Sequence, residues 1–257
     1  MYGRIVHQAE RLSAILTELS EDGGVEVSDL ATRLAVSAAT IRRDLELLEG
    51  QRLLSRTHGG AVPMGVLYEL PLRYKGARHH DEKRRIAQVA AEQITDGMAV
   101  GLTGGTTCTE VARELVDRER ITVVTNALNI ASELAVRPNL KLVVTGGTAR
   151  PESYELVGPL AEQSLAGLHL DLVVIGVDGI DAQAGCTTHH EVEAHTDLAL
   201  IDRAERVVVV ADSSKIGHVA FARICPVDRV DQLITDRGAN VRALRALRDA
   251  GVTVDAV

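Results

Sequence analysis

Apolar residues in the first sixty positions recur at the spacing that places them on one face of a helix. Three such groups run from Leu12 to Leu19, from Leu30 to Leu34 and from Ile41 to Leu48. Ser28 and Ser37 precede the second and third groups, where a hydroxyl can accept a hydrogen bond from a free backbone amide, so both are expected to act as N-caps. The pattern predicts three helices, with a tight turn between the second and the third.

The residues after the third predicted helix indicate a small hairpin and then a linker. Residues 53–62 combine two short runs with a glycine pair, which predicts two strands and a turn. Residues 63–80 contain prolines and glycines and have no sustained apolar period. The chain is therefore expected to divide into a small domain over residues 1–62, a linker over 63–80 and a larger domain over 81–257.

From residue 81 onward, helical patterns alternate with short runs of valine, leucine and isoleucine. Runs that are apolar on both faces are typical of parallel strands covered by helices on both sides. The predicted fold class of this part is therefore a mostly parallel α/β domain. The predicted strands are residues 98–102, 121–125, 140–145, 172–177, 207–211, 231–235 and 252–257.

Composition excludes several classes of protein. Aromatic residues make up 2% of the chain, so a base-stacking surface for single-stranded nucleic acid is not expected. Cys108, Cys186 and Cys225 lie far apart and form no CxxC pair, which favours a reducing compartment over a disulfide framework. No apolar run approaches the ~18 residues of a spanning helix, and the N-terminus lacks a signal-peptide core. A soluble cytoplasmic protein without a membrane partner is expected.

The net charge of −8 argues at first against a nucleic-acid partner. Binding to phosphate, however, depends on the charge that faces the duplex rather than on the total. Arg42, Arg43, Arg52 and Arg56 fall within one short stretch of the small domain. The local positive charge is therefore compatible with DNA as a partner.

Two short helices joined by a tight turn and followed by a hairpin are the arrangement of a winged helix-turn-helix. If Ile41, Leu45 and Leu48 face inward, small and polar residues occupy the outer face near the start of the helix, where it can approach base edges. Arginine there can bond guanine in two places or bind phosphate. The predicted partner is double-stranded operator DNA, contacted by Ser37, Ala38, Ala39, Thr40, Arg42 and Arg43 of the helix and by Arg56, Thr57 and His58 of the wing.

The alternative is an ordinary amphipathic helix. Its arginines would then pair with Asp44, Glu46 and Glu49. The preceding helix, the turn and the hairpin favour the DNA-binding interpretation.

A segment rich in glycine and threonine, Gly101–Thr109, begins at the end of the first predicted strand of the larger domain and opens a helix. Glycines allow the backbone to approach an anion, and the amides and dipole at a helix start favour negative charge. The segment fits neither the Walker pattern nor GxGxxG, so a nucleotide cofactor is not indicated. A tight structural turn with threonine caps is the alternative, and the residues alone leave both open.

The motifs of both parts resemble the DeoR family of bacterial regulators. The similarity implies a winged helix-turn-helix joined to a domain similar to ribose-5-phosphate isomerase. It also implies a homo-oligomer, a dimer or tetramer, that represses carbohydrate-metabolism genes until a phosphorylated sugar or related metabolite binds. The matching motifs are Val25-x-Val27-x-x-Leu30-Ala31, Val36-Ser37-x-x-Thr40-Ile41-Arg42-Arg43-Asp44-Leu45, Arg56-Thr57-His58-Gly59-Gly60-Ala61, Glu82-Lys83-x-x-Ile86-Ala87, Gly105-Thr106-Thr107, Val124-Thr125-Asn126, Gly146-Gly147 and Ala211-Asp212-Ser213-Ser214-Lys215.

Further candidates for this effector lie where predicted strands end, because ligands of parallel sheets bind at that edge. Lys215 and, more weakly, Lys83 could neutralise a phosphate. Without the surrounding family motif, Lys215 would be interpreted as a solvated surface lysine. Asp178 could bond sugar hydroxyls or simply serve a turn. The predicted effector residues are Lys83, Gly105, Thr106, Thr107, Thr125, Asn126, Gly146, Gly147, Asp178, Lys215 and Glu191, with Glu193, Thr187 and Thr188 as further choices near the last.

A metal centre at Cys186, His189, His190 and His195 is the weaker interpretation of these side chains. Their spacing fits no zinc template, and neighbouring histidines on one element diverge. No metal and no cofactor are predicted.

An enzyme is the rival class of function. A sugar-phosphate isomerase would need a carboxylate base, for which Glu191 or Glu193 could serve, and a group such as Lys215 to stabilise the enediolate. The turn at residues 176–181 partly matches the acidic turn of pentose-phosphate isomerases, but their glycine-rich lysine segment is not reproduced. A regulator that retains a pocket without turnover is the simpler hypothesis.

Overall fold

The computed structural model describes residues 8–64, 71–76 and 78–257. The chain forms two compact units, Met1–Arg78 and His79–Val257, and each is described by itself.

The N-terminal unit packs four helices, of which the last is a single short turn, with a three-stranded antiparallel sheet whose strand order is β1-β3-β2. The hairpin predicted over residues 53–62 is present, with Ser55 opposite Val62 and Arg56 opposite Ala61. The elements are α1 (Gln8–Asp22), β1 (Val25–Glu26), α2 (Val27–Arg33), α3 (Ala38–Gly50), β2 (Leu54–Arg56), β3 (Gly60–Pro63) and α4 (Leu72–Lys75).

The start of α2 differs from the sequence-based prediction. Ser28 was expected to cap this helix, but the helix begins at Val27, and Ser28 lies within its first turn. The Val27 amide donates instead to the Gly59 carbonyl at 2.8 Å. Because the wing turn supplies the acceptor that a cap would provide, the helix can begin directly at the end of β1.

The apolar groups seen in the sequence form the core of this unit. Ile41, Leu45 and Leu48 of α3 are almost completely buried. They pack with leucines of α1 and α2 and with Leu54 of the wing. The segment expected to be a linker also contributes, since Leu72 and Tyr74 of α4 are buried and Tyr74 packs against the same core. Residues 65–70 and 77 of that segment lie outside the described residues.

The C-terminal unit is built on a seven-stranded sheet of order β15-β14-β12-β9-β4-β5-β6, in which every neighbouring pair is parallel. The sheet strands are β4 (Ala99–Leu102), β5 (Thr122–Thr125), β6 (Lys141–Val144), β9 (Leu172–Gly176), β12 (Val207–Val210), β14 (Gln232–Thr235) and β15 (Thr253–Ala256). The helices are α5 (His80–Glu92), α6 (Thr106–Glu114), α7 (Leu128–Leu134), α8 (Pro159–Leu165), α9 (Glu191–Ile201) and α10 (Val241–Asp249).

Two hydrophobic cores cover the two faces of this sheet. Val173 and Val209 belong to one core, whereas Val174 and Val208 belong to the other. Successive side chains of a strand point to opposite faces, so both faces are buried when the whole run is apolar. The predicted mostly parallel α/β fold class is confirmed.

Antiparallel elements that the sequence pattern did not predict are attached to this sheet. The strands β7 (Thr148–Arg150) and β8 (Glu155–Val157) form a hairpin. A separate sheet has the order β10-β11-β13, from the strands β10 (Gly179–Asp181), β11 (Gly185–Thr188) and β13 (Ala222–Cys225). Strands of three or four residues are too short to show a period of two against their surroundings.

Among the described residues, no helix combines the length and the apolar character that crossing a bilayer requires.

Candidate functional site

Helix α3 presents a polar face whose start is fixed by Ser37. The Ser37 hydroxyl accepts a hydrogen bond from the Thr40 amide at 3.1 Å, so the predicted N-cap is confirmed. The two hydroxyls, Ser37 Oγ and Thr40 Oγ1, lie 2.9 Å apart. Because the apolar face of α3 is buried, Arg42 and Arg43 are exposed on the opposite side. Ala38 and Ala39 leave little bulk at the helix start, as base approach would require.

The acidic residues of α3 do not hold this arginine pair. Asp44 is buried and bonds Arg11 of α1, with Arg11 Nε 2.8 Å from one carboxylate oxygen. Within the part of the chain that the structure describes, Arg42 and Arg43 make no hydrogen bond or ion pair. The alternative of an amphipathic helix that neutralises its own arginines is therefore wrong for these two side chains.

The wing is braced against α3 by Arg56. Its guanidinium contacts Glu49 at 2.7 Å and Glu46 at 2.9 Å, and its amide donates to Glu49 at 3.0 Å. Hydrogen bonds from Arg56 hold the pKa of Glu49 below its ordinary value. Arg56, predicted to contact DNA, is thus engaged within the protein, while Thr57 and His58 are exposed at the wing tip.

The strand order of the large sheet reverses between β4 and β9. The strands β4, β5 and β6 are neighbours in chain order, and the next strand of this sheet, β9, lies on the other side of β4. Ligands of parallel sheets bind where the order reverses, outside the carboxyl ends of the strands. Gly105–Thr107 follow β4 and Asp178 follows β9, so the loops at this reversal carry the predicted residues.

The loop after β4 brings free amides to this edge. Gly105 has φ +105° and precedes α6, a conformation that favours glycine. No acceptor among the described residues bonds the backbone amides of Gly105, Thr106 or Thr107. The amides therefore remain available to an anion, as the sequence predicts.

The predicted residues at the ends of β5 and β6, unlike those after β4, are engaged in contacts within the protein. Asn126 is completely buried and donates to Glu155 at 3.1 Å, and Thr125 Oγ1 accepts from the Ala127 amide. Gly146 donates its amide to Ser164 at 3.2 Å. A Cβ at Gly147 would lie 2.9 Å from the backbone of Val157, so this glycine lets the β7–β8 hairpin pack closely. Thr125 and Gly146 thus have structural partners of their own.

Two lysine–aspartate pairs lie on the other side of the reversal. Lys215 Nζ is 3.3 Å from Asp178, which also accepts a hydrogen bond from Thr188 at 3.2 Å. Lys83 is buried, with its ammonium 3.9 Å from the Asp212 carboxylate. Burial raises the pKa of Asp212, but the hydrogen bond from Ser214 and the charge of Lys83 outweigh it, and the pKa lies below its ordinary value. Both aspartates are thereby placed beside cations.

Glu193, rather than Glu191, is the glutamate that lies close to Thr188 and therefore near Asp178. Glu193 is buried, contacts Arg150 at 2.6 Å and accepts from Thr188 at 3.4 Å. The Glu191 side chain is 60% exposed and lies 3.8 Å from His190. The two glutamates are two residues apart in α9, so their side chains point to nearly opposite sides of the helix. The weak amphipathicity of α9 gave no signal that could have distinguished these sides from sequence.

Asp197 of α9 is an additional buried acid that sequence reasoning missed. Its Oδ1 atom is buried without a hydrogen-bond partner among the described residues. Burial and the negative charges of Glu155 and Glu193 raise its pKa well above the ordinary value. The folded protein therefore keeps a proton on Asp197 at a pH where the unfolded chain has lost it.

We expect Asp197→Asn to flatten the pH dependence of stability. In the wild type, the folded state binds more protons than the unfolded state at pH values above about 3.9 and up to the raised pKa, so its stability falls as pH rises. The variant lacks this loss, so its advantage should grow through that interval. Denaturant unfolding across pH measures it, with Asp202→Asn at the exposed end of α9 as control. Parallel profiles for wild type and Asp197→Asn would contradict the assignment.

The residues of the metal alternative do not converge. Cys186 is buried in β11, His195 is exposed, and His190 accepts from the Val192 amide at the start of α9. His189 lies 3.7 Å from Asp178. Within residues 8–64, 71–76 and 78–257, no three such side chains are placed to share an ion.

A winged helix-turn-helix with outward arginines, followed by an α/β unit with an anion-suited loop, defines a ligand-responsive DNA-binding regulator. The chain belongs to the DeoR family: the DeoR-like helix-turn-helix domain matches residues 11–64, and the DeoR C terminal sensor domain matches residues 78–237. The predicted family and its regulatory class are confirmed.

Named relatives span nearly the whole chain. A putative aga operon transcriptional repressor of Escherichia coli O157:H7 is 37% identical over 98% of this chain and 94% of its own length. The glycerol-3-phosphate regulon repressor of Escherichia coli strain K12 is 31% identical over 96% and 98%. Ribose 5-phosphate isomerase A from Methanocaldococcus jannaschii is a distant structural neighbour, with TM-score 0.38 and 21% identity over 53% of this chain and 54% of that one.

The enzyme alternative receives no support from these comparisons. The family and the two relatives are named for transcriptional regulation. The predicted transcriptional regulator is therefore confirmed over the isomerase.

Proposed function

We propose that the chain binds operator DNA through the outer face of α3 and represses genes of carbohydrate metabolism. The exposed Arg42–Arg43 pair on a helix capped by Ser37 is the observation that carries this proposal. Two relatives are named as repressors of an aga operon and of a glycerol-3-phosphate regulon, which supports repression and this class of genes. A homo-oligomer, a dimer or tetramer, is proposed because paired helices reading neighbouring half-sites multiply affinity.

The effector that relieves repression is proposed to be a phosphorylated sugar or a related metabolite. The free amides at the start of α6 suit a phosphate, and the dipole of a helix of this length favours its charge. Lys83 and Lys215 add positive charge at the same edge of the sheet. Asp178 and Glu193 are acceptors for the hydroxyl groups of a sugar.

The effector proposal is tested by thermal shift with a panel of phosphorylated sugars, followed by operator binding in the presence of each hit. A ligand can release DNA only through different affinities for the two states of the protein. A hit that raises the melting temperature and weakens operator binding supports the proposal. Turnover of a hit by the protein, or stabilisation without any change in operator affinity, would count against it.

Thr106→Ala is expected to weaken binding of such a hit by on the order of tenfold, because a hydroxyl bond to a charged group is worth roughly 1.5–3 kcal/mol and part of it is replaced by water. Operator affinity without effector should not change. Isothermal titration measures the first quantity and fluorescence anisotropy the second. Thr253→Ala, at an exposed strand position of the same unit, is the control. Equal effector affinity in the wild type, Thr106→Ala and Thr253→Ala would show that the start of α6 does not bind the effector.

A further inference from the structure

Two of the three cysteines face each other across neighbouring strands. Cys186 of β11 and Cys225 of β13 are register partners in the antiparallel pair, beside an irregularity that shifts the register between Cys186 and Thr187. Direct partners in such a pair have Cα atoms about 4.5–5.5 Å apart, within the range of about 4.4–6.8 Å that a disulfide spans. The backbones approach closely here, since a Cβ added at Gly185 would lie 2.2 Å from the Cys225 carbonyl oxygen.

Both side chains also share one environment. Cys186 and Cys225 are almost completely buried and belong to the same hydrophobic core. Their side chains therefore lie on the same face of the small sheet. Cys108, by contrast, packs in the core on the other face of the large sheet.

We propose that Cys186 and Cys225 form a reversible cross-strand disulfide, so that the C-terminal unit carries a redox-modification site. The oxidant is a peroxide. The Cys225 thiolate attacks one peroxide oxygen and becomes a sulfenic acid, and the cleaved O–O bond releases water after protonation. The Cys186 sulfur then attacks the Cys225 sulfur, loses its proton and releases the second water. Two thiols and one hydrogen peroxide thus give one disulfide and two waters.

The two thiols differ in the way that this sequence of steps requires. Interaction with Cys186 lowers the pKa of Cys225, and the charge of Arg229 acts in the same direction. Interaction with Cys225, together with burial, raises the pKa of Cys186. Cys225 is therefore the better initial nucleophile, because the thiolate is the reactive form.

Access to Cys225 is provided by the position of its strand. β13 is an edge strand of the three-stranded sheet, and Cys225 is its last residue, next to the exposed Pro226. Edge strands open at lower free energy than central ones. Oxidation is therefore expected to be slow and limited by this opening.

The bond would close a loop of about 40 residues that contains two residues of the proposed effector site. Glu193 and Lys215 lie between the two cysteines in the chain. Cross-linking the ends of this segment restricts the unfolded chain and should raise the melting temperature by several degrees.

The test is native oxidation of the full chain with a hydrogen peroxide series. After quenching and denaturation, free thiols are alkylated and the peptides are mapped by mass spectrometry. We expect two of the three thiols to become unavailable, a peptide linking Cys186 to Cys225, and full recovery with dithiothreitol. Oxidation of the exposed Met64 shows that the dose was sufficient.

Cys108→Ser is the matched control and should retain the linked peptide, whereas Cys225→Ser should lose it. A melting curve without reductant should shift upward for oxidised wild type and Cys108→Ser only. Three alkylatable thiols after Met64 has been oxidised would overturn the proposal. Separate sulfinic acids without the linked peptide would also overturn it. Wild type alone decides both outcomes, so a variant that fails to fold does not affect the result.

Discussion

Replacing Arg42 and Arg43 together with alanine is expected to weaken operator binding by at least about 100-fold, because each base or phosphate contact of an arginine contributes roughly 1–3 kcal/mol. Both side chains are exposed on the outer face of α3, and no ion pair among the described residues competes for them. The variant should keep the melting curve of the wild type. Fluorescence anisotropy with an operator duplex measures the affinity.

The salt dependence separates the roles of the two arginines. An arginine that contacts only phosphate lowers affinity equally for all sequences and reduces the salt slope, whereas one that reads a base relaxes specificity at one position. Arg245→Ala in α10, whose side chain is 83% exposed, is the matched control for loss of one positive charge. If the double variant and Arg245→Ala bound operator equally well, α3 would not be the reading helix.

Arg11→Met should destabilise the N-terminal unit by about 3 kcal/mol or more, because removing one partner of a buried pair leaves an uncompensated charge. The Arg11 and Asp44 side chains are 12% and 2% exposed, and their contact joins α1 to α3. Denaturant unfolding followed by circular dichroism measures the change. Operator affinity should fall only under conditions in which the N-terminal unit begins to unfold.

Two further variants make this prediction specific. Arg33→Met breaks the contact of Arg33 with Glu18, in which the arginine side chain is 54% exposed, and should cost no more than about 1 kcal/mol. Adding Asp44→Leu to Arg11→Met should recover part of the loss, because no buried carboxylate then remains. Equal losses from Arg11→Met and Arg33→Met would show that burial of Asp44 has no energetic consequence.

The periodic elements were predictable because their signal is local. The strand predicted over residues 98–102 is Ala99–Leu102, and the strand predicted over 121–125 is Thr122–Thr125. The cap at Ser37 and the inward face of α3 were also predicted correctly. Ser28 failed as a cap because its role passed to the Gly59 carbonyl, which is distant in sequence.

The candidate site was predictable only in part. Gly105 and Thr106 could be proposed from the sequence because a strand, a glycine loop and a helix start adjoin in the chain. Glu193 and Asp212 acquire their partners from elsewhere, at Arg150 and Lys83. Pairs of this kind leave no periodic trace, so the sequence could only suggest Glu191 or Glu193.

By itself the sequence determined the family, the two-part organisation, the parallel α/β class and the outward arginines of α3, since each follows from local spacing and motif. Tertiary structure alone decided which charges are satisfied. It assigned Arg56 to Glu46 and Glu49 and buried Asp44 against Arg11. It also set Cys186 opposite Cys225. The physical reason is that burial and pairing depend on distances between residues far apart in the chain, which spacing along the sequence does not encode.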